Sequence, residues 1–368
     1  MAGRIKVLCV FGTRPEAIKM APVIRELRRH PGRIDTRVCV TAQHRQMLDQ
    51  MLALFEIQPD YDLDLMREDQ SLTDVTAAVL TRLEPILAKE TPDWMLVQGD
   101  TTTAMSAALG AFYHAVKIGH VEAGLRSGNK RHPFPEEVNR KIVDTVCDLH
   151  FAPTERARQN LVGEGIDPCS IRVTGNTVID ALHWVAGRPA TPPAWLPPPP
   201  TRVVLVTAHR HENFGPPLEA ICNALADIAR RYRGEVHIVY SVHLNPNVRG
   251  PVHRVLGGAE NVSLVPPLDY PDLVAVLSRA HLVVTDSGGL QEEAPAFGKP
   301  VLVLREVTER PEGVEAGMAR IVGTNPDRVA GEVVRLLDSP TEYAQMARAV
   351  QPYGDGRAAE RIVQALLA

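Results

Sequence analysis

Residues 282–297 read Leu-Val-Val-Thr-Asp-Ser-Gly-Gly-Leu-Gln-Glu-Glu-Ala-Pro-Ala-Phe. The first four are a short apolar, β-branched run that suits a buried strand, and the residues after them suit a helix ending near Phe297-Gly298. Two glycines at a strand-to-helix turn let backbone N–H groups approach a ligand, and the helix N-terminus adds partial positive charge. Ser287, Gly288 and Gly289 therefore outline a phosphate cradle. Glu292 and Glu293, one turn further in, are placed to accept a hydrogen bond from a sugar hydroxyl. The competing reading is that the glycines serve only the turn and the glutamates only the helix dipole.

The same strand-then-helix unit recurs along the whole chain, which predicts an α/β protein built on parallel sheets. Strands are expected at 6–11, 36–40, 94–98, 117–121, 150–152 and 171–173, then at 203–207, 236–240, 262–265, 282–285 and 301–304. Helices are expected at 17–29, 45–55, 72–89, 102–115, 136–146 and 155–164, then at 218–231, 246–256, 272–278, 290–297 and 328–337. Ser71-Leu72-Thr73-Asp74 reads as a capping box with Asp in the usual Glu place. Proline-rich residues 187–201 must run extended, since proline fixes φ and supplies no donor, so they read as a linker. The expected organisation is a first domain over 1–186, a second over 202–356, and an amphipathic segment over 357–368 packing back on the first.

A chain of 368 residues suits two domains of roughly 180. A net charge of −4 argues against a nucleic-acid binder or a membrane-surface protein. No run approaches the ~20 apolar residues of a membrane span. The five cysteines are odd in number and form no CxxC pair, so a reduced, cytoplasmic setting is expected, with neither a disulfide framework nor a zinc site.

Candidate chemistry sits where strands end. Gly12-Thr13-Arg14-Pro15-Glu16-Ala17-Ile18-Lys19 is not a GxGxxG turn, so no dinucleotide cofactor is expected there; Arg14 and Lys19 at a helix start are instead able to face one anion. Asp100, in Gln98-Gly99-Asp100-Thr101-Thr102, has an N-cap aspartate as its commonest outcome. Glu122 ends another strand, and Glu136 opens a helix in which Arg140, four residues on, suits an ordinary surface pair. What raises these above ordinary surface groups is their shared address at the ligand-binding edge of one sheet, where carboxylates repel one another unless function keeps them there. His209 follows a strand of the second half and titrates near neutral pH. His209 and His211 lack the partners of a catalytic metal site, so no metal is expected.

Taken together, these stretches resemble the bacterial non-hydrolysing UDP-N-acetylglucosamine 2-epimerases. The resemblance is carried by residues 11–19 (FGTRPEAIK), 43–48 (QHRQML), 98–102 (QGDTT), 120–126 (HVEAGLR), 135–140 (PEEVNR), 175–180 (GNTVID), 209–215, 286–295, 298–303 and 308–312 (TERPE). It implies a GT-B type fold, with two Rossmann-like domains facing a central cleft, usually in a homodimer. It implies reversible C2 epimerisation of UDP-GlcNAc to UDP-ManNAc, by elimination of UDP to 2-acetamidoglucal and re-addition, without a cofactor. By motif match it assigns Asp100, Glu122, Glu136 and His209 to catalysis. Arg14, Lys19, Arg140, Ser287, Gly288, Gly289, Glu293 and Arg310 are assigned to the substrate, and the uracil is expected near residues 265–270.

Some members of that family bind a second UDP-GlcNAc as an allosteric activator, through residues matching Gln43, Gln46, Gln70, Glu136, Arg210 and His243. Here Asp69 stands where activated relatives tend to carry arginine, and Ser241 where proline usually precedes Val-His. The rival readings are a hydrolysing 2-epimerase, a GT-B glycosyltransferase using a UDP-sugar, and a catalytically silent sugar-nucleotide sensor. The clustered acids argue against the last two.

Overall fold

The computed structural model describes the chain apart from residues 1–2, 43–44, 66, 68, 132, 189–191, 309 and 349–350. It divides into unit 1, Met1–Ala181 with Tyr353–Ala368, and unit 2, Leu182–Pro352. The boundary between Ala181 and Leu182 falls inside a helix. In the proline-rich stretch, residues 189–191 lie outside the described residues. Leu196 is buried, and the Pro197 carbonyl accepts from Arg279 Nη2 at 3.2 Å within unit 2.

Unit 1 runs β1 (Ile5–Phe11), α1 (Arg14–Arg28), β2 (Ile34–Val40), α2 (Arg45–Leu54), β3 (Tyr61–Asp62), α3 (Leu72–Glu90), β4 (Trp94–Gln98), α4 (Thr102–Tyr113), β5 (Lys117–Val121), α5 (Glu136–Val146), β6 (Leu149–Ala152), α6 (Glu155–Gly163), β7 (Ile171–Val173) and α7 (Thr177–Ala186). Its strands form one sheet in the order β3-β2-β1-β4-β5-β6-β7, paired in parallel. Val7 through Phe11 are fully buried, as both faces of a parallel sheet must be when helices cover them.

Unit 2 runs β8 (Arg202–Thr207), α8 (Pro216–Arg231), β9 (Val236–Ser241), α9 (Pro246–Leu256), β10 (Val262–Val265), α10 (Tyr270–Arg279), β11 (Ala280–Thr285), α11 (Gly288–Ala296), β12 (Val301–Val303), α12 (Pro311–Glu315), β13 (Ala319–Ile321), α13 (Pro326–Asp338) and α14 (Pro340–Met346). Its parallel sheet has the order β10-β9-β8-β11-β12-β13, with Val203–Val206 and Leu282–Val284 at its buried centre.

The last helix, α15 (Ala358–Leu367), belongs to unit 1. It packs beside α1 through an apolar face that includes Ile362, Val363 and Leu366. Its free N-terminal amides are capped from α7: Asp180 accepts from Ala358 N at 3.2 Å and Ala359 N at 2.9 Å.

In each sheet the strand order reverses at one place, between β1 and β4 in unit 1 and between β8 and β11 in unit 2. Loops at the carboxyl ends of such strands diverge and leave a crevice, the usual ligand address of a doubly wound sheet. These two addresses carry Gly12-Thr13 and Gly99-Asp100 in unit 1, and Ala208-His209 and Asp286-Ser287 in unit 2.

Candidate active site

In unit 1 the carboxylates do not stand apart as the repulsion argument alone suggests; Glu122 and Asp100 both find partners at the same edge. Glu122 directly follows β5, is buried, and has φ of +71°, a left-handed conformation costing a glutamate on the order of 1–2 kcal/mol. Its backbone N–H donates to the Phe151 carbonyl at 3.1 Å, which helps hold that turn. Lys19 Nζ lies 2.6 Å from both carboxylate oxygens, Asn176 Nδ2 donates to Oε1 at 3.1 Å, and Gln98 Nε2 donates to Oε2. The anion that Lys19 meets is thus Glu122, while Arg14 sits half-buried in the first turn of α1.

Asp100 is not the N-cap of α4. That place belongs to Thr101, whose hydroxyl accepts from Ala104 N at 3.0 Å, because Asp100 is drawn away by Arg140 Nη2. Nor does Arg140 form an exposed pair with Glu136. Its buried guanidinium serves Asp100 and, at 3.2 Å, Glu137. Glu137 is itself buried and accepts from Ser127 N at 2.9 Å and Gly128 N at 3.2 Å. Glu136, at the start of α5, keeps one carboxylate oxygen buried with no hydrogen-bond partner among the described residues.

Glu16 completes the edge. It accepts from Gly12 N at 3.0 Å, Thr13 N at 2.7 Å and the Thr101 hydroxyl at 2.7 Å, so it ties the β1 turn to the β4 turn. Burial pushes its carboxyl above the usual range despite those donors.

In unit 2 a cavity of about 210 Å³ is lined by Thr207, His209, His243, Pro267, Ser287, Gly289 and Glu293, among others. Gly288 and Gly289 are the first two residues of α11. A Cβ added at Gly288 would meet nothing within 4 Å, and one at Gly289 only Ser287 Oγ at 3.9 Å. The chain's own packing does not require these glycines, so what they keep open is the approach to the backbone. Ser287 is the N-cap, yet its side chain makes no capping hydrogen bond.

Asp286, fully buried, builds the His209 loop. Its Oδ2 accepts from His209 N at 2.8 Å, Arg210 N at 2.9 Å and Asn213 Nδ2 at 3.0 Å. Its Oδ1 lies 3.3 Å from His209 Nδ1, and the His209 ring stacks on His243 with centroids 5.6 Å apart. Burial depresses the His209 pKa, against the opposing pull of Asp286.

The two glutamates of α11 part company. Glu293 faces the cavity and accepts from the Tyr270 hydroxyl at 3.3 Å, whereas Glu292 is buried and paired with Arg310. Among the described residues no group of three His, Cys, Asp or Glu is arranged to hold a metal ion, and no helix is long and apolar enough to cross a membrane.

The family model described as UDP-N-acetylglucosamine 2-epimerase matches residues 25–367. A curated relative from Yersinia pestis, named UDP-N-acetylglucosamine 2-epimerase, is 54% identical over 98% of both chains. The chain belongs to the UDP-N-acetylglucosamine 2-epimerase family. The Neisseria meningitidis member of that family, whose crystal structure is bound to UDP-GlcNAc, is 45% identical with a TM-score of 0.89, covering 99% of this chain and 100% of that one. A glycosyltransferase of kitacinnamycin, 16% identical with a TM-score of 0.68 over 99% of this chain and all of its own, shares the fold alone. The fold is therefore the GT-B type α/β architecture, and the family is one of isomerases.

Within this epimerase, unit 1 holds Arg14, Lys19, Asp100, Glu122, Glu136 and Arg140, and unit 2 holds His209, Ser287, Gly288, Gly289, Glu293 and Arg310. Of the residues matched to an activator, Gln43 lies outside the described residues. Gln46 is on α2, and Gln70 accepts from Arg67 N at 2.9 Å ahead of α3. Arg210 and His243 belong to unit 2, and His243 shares the cavity with His209. Sequence reasoning missed Glu16, Gln98, Glu137, Asn176 and Asp286 as partners of the site. All five lie inside the stretches quoted for the resemblance, at 11–19, 98–102, 135–140, 175–180 and 286–295, so a polar residue in a strand-end motif was the available signal.

Proposed function

We propose that the protein interconverts UDP-GlcNAc and UDP-ManNAc without hydrolysing either. A unit 1 carboxylate takes the C2 proton, the C1–O bond to the diphosphate breaks with its electron pair leaving on UDP, and a C1–C2 double bond forms. UDP then adds back to C1 while C2 accepts a proton on the opposite face. Proton loss and return on two faces call for more than one positioned carboxylate, and Asp100, Glu122 and Glu136 supply them. Ser287, the N–H groups opening α11 and His209 hold the departing diphosphate, Glu293 the ribose, and Pro267 borders the uracil.

The observation that carries this reading is the gathering of Asp100 with Arg140, and of Glu122 with Lys19, at one sheet edge. The test is incubation with UDP-GlcNAc in D2O, followed by NMR. Deuterium at C2 with accumulating UDP-ManNAc is expected; free ManNAc, or no exchange, contradicts it.

Assembly as a homodimer is supported by apolar side chains exposed on neighbouring α4 and α5, Phe112 and Tyr113 on α4, 57% and 68% exposed, and Val138 and Ile142 on α5. Sedimentation as a monomer at micromolar concentration sinks that point. Five free cysteines suit the reducing cytoplasm in which we place the protein. Activation by a second UDP-GlcNAc is tested by starting from pure UDP-ManNAc: a lag removed by added UDP-GlcNAc is expected, and immediate full rate excludes it.

A further inference from the structure

One buried polar group in unit 1 touches none of the proposed reacting carboxylates, yet reaches all three elements that carry them. His120, on β5 and fully buried, places Nε2 2.8 Å from the Gly99 carbonyl oxygen and Nδ1 2.6 Å from Asp144 Oδ1 on α5. A carbonyl only accepts, so Nε2 carries a hydrogen. Asp144 is in turn bound by Arg126 Nη2 at 2.7 Å, and Arg126 is gripped by Glu164 at 2.7 and 2.9 Å. Burial alone would raise the Asp144 carboxyl, but His120 and Arg126 outweigh it and hold it below its usual range. The arrangement is a fixed strut running from α5 through β5 to the turn after β4.

The atom it ends on matters. Gly99 has φ of +70° and begins the turn whose next residue is Asp100. Its N–H donates to the Val121 carbonyl at 3.0 Å, its carbonyl receives His120, and the Asp100 carbonyl receives Asn139 Nδ2 at 2.9 Å. The peptide bearing Asp100 is thereby oriented from β5 and α5 together. We propose that His120 is a positioning residue for the epimerisation, setting through the Gly99 carbonyl the place at which the Asp100 carboxylate meets C2 of the substrate. The proposal rests on the reading that Asp100 acts chemically. The competing explanation is a satisfied core histidine that matters only to stability.

Two substitutions separate these explanations. In His120→Asn the side-chain amide can still reach Asp144 but not Gly99; in His120→Gln it can reach Gly99 but not Asp144. The measurements are kcat, KM and C2 deuterium exchange with UDP-GlcNAc, together with melting temperature, for both variants beside Asp100→Asn. A displacement of about 1 Å costs a reaction about 10²-fold, so His120→Asn is expected to lose about 10- to 100-fold in kcat with KM within about twofold. His120→Gln is expected to recover most of that loss even if its melting temperature is the lower of the two.

A wild-type kcat in His120→Asn with Asp100→Asn inactive overturns this proposal alone. So does a kcat in the two variants that follows their melting temperatures. Exchange persisting in Asp100→Asn overturns the underlying reading and this proposal with it.

Discussion

The two sheet edges solve different problems. In unit 1 the carboxylates are engaged from within: Lys19, Gln98 and Asn176 on Glu122, Arg140 on Asp100, and backbone amides on Glu16 and Glu137. In unit 2 the corresponding edge keeps an open cavity of about 210 Å³ beside a helix start whose glycines meet nothing of their own chain. Proton transfer needs groups held in place before substrate arrives, and a fixed network provides that. Holding a diphosphate needs donors left accessible, and a bare helix N-terminus provides that. On the function proposed above, this difference makes the first edge the one that reacts and the second the one that grips.

The strongest way to break that comparison is to neutralise one unit 1 carboxylate. Asp100→Asn and Glu122→Gln keep shape and lose the base, so C2 exchange in D2O is expected to fall by about 10²–10⁴-fold. Retained exchange in either variant removes that residue from the chemistry.

A smaller effect sharpens the unit 2 side. Asp286→Asn takes away the negative charge that holds the His209 pKa up against burial, so the His209 midpoint, already depressed, is expected to move lower still. An NMR titration of the ring measures it, and an unmoved midpoint means that Asp286 shapes the loop without tuning the imidazole.

The smallest effect concerns acid stability. In unit 2, burial lowers His281 from 6.5 to about 4, where it stacks on Tyr343 with centroids 4.1 Å apart. The unfolded chain then binds the proton first, so stability falls as pH drops from 6.5 towards 4. In unit 1, Asp144 is lowered instead, so what it contributes is full above 3.8 and is lost as pH falls from there through its folded value. His281→Phe is expected to flatten the decline in urea midpoint between pH 6.5 and 4; an unchanged slope assigns that decline to other groups.

The strands were readable because parallel sheets buried on both faces demand continuous β-branched runs, as at Val203–Val206 and Leu282–Val284. The short elements β3, β13, α12 and α14 were not, since none of them carries an apolar run of the kind that marks β12 or is long enough to show a helical period. The helix α7 was also missed, although its buried Val178, Ala181, Leu182 and Val185 recur at the i, i+3, i+4, i+7 spacing of an amphipathic helix. Helix α11 begins two residues earlier than expected, because Gly288 and Gly289 are its first turn rather than a loop before it. In the site, the strand-end residues could be named from sequence but their partners could not. Lys19 and Glu122 are 103 residues apart, Arg140 and Asp100 40, and His209 and Asp286 77. Such pairings are set by sheet order, which local spacing does not encode.

The division between reacting and gripping edges is tested most directly by titrating UDP, by calorimetry, into Asp100→Asn and Gly288→Val side by side. A Kd within about twofold of wild type is expected for Asp100→Asn and one at least about tenfold weaker for Gly288→Val, with both variants folded at the temperature of the titration, since a loss of about 1.4 kcal/mol is tenfold in binding. Weakened UDP binding in Asp100→Asn, or undiminished binding in Gly288→Val, contradicts it.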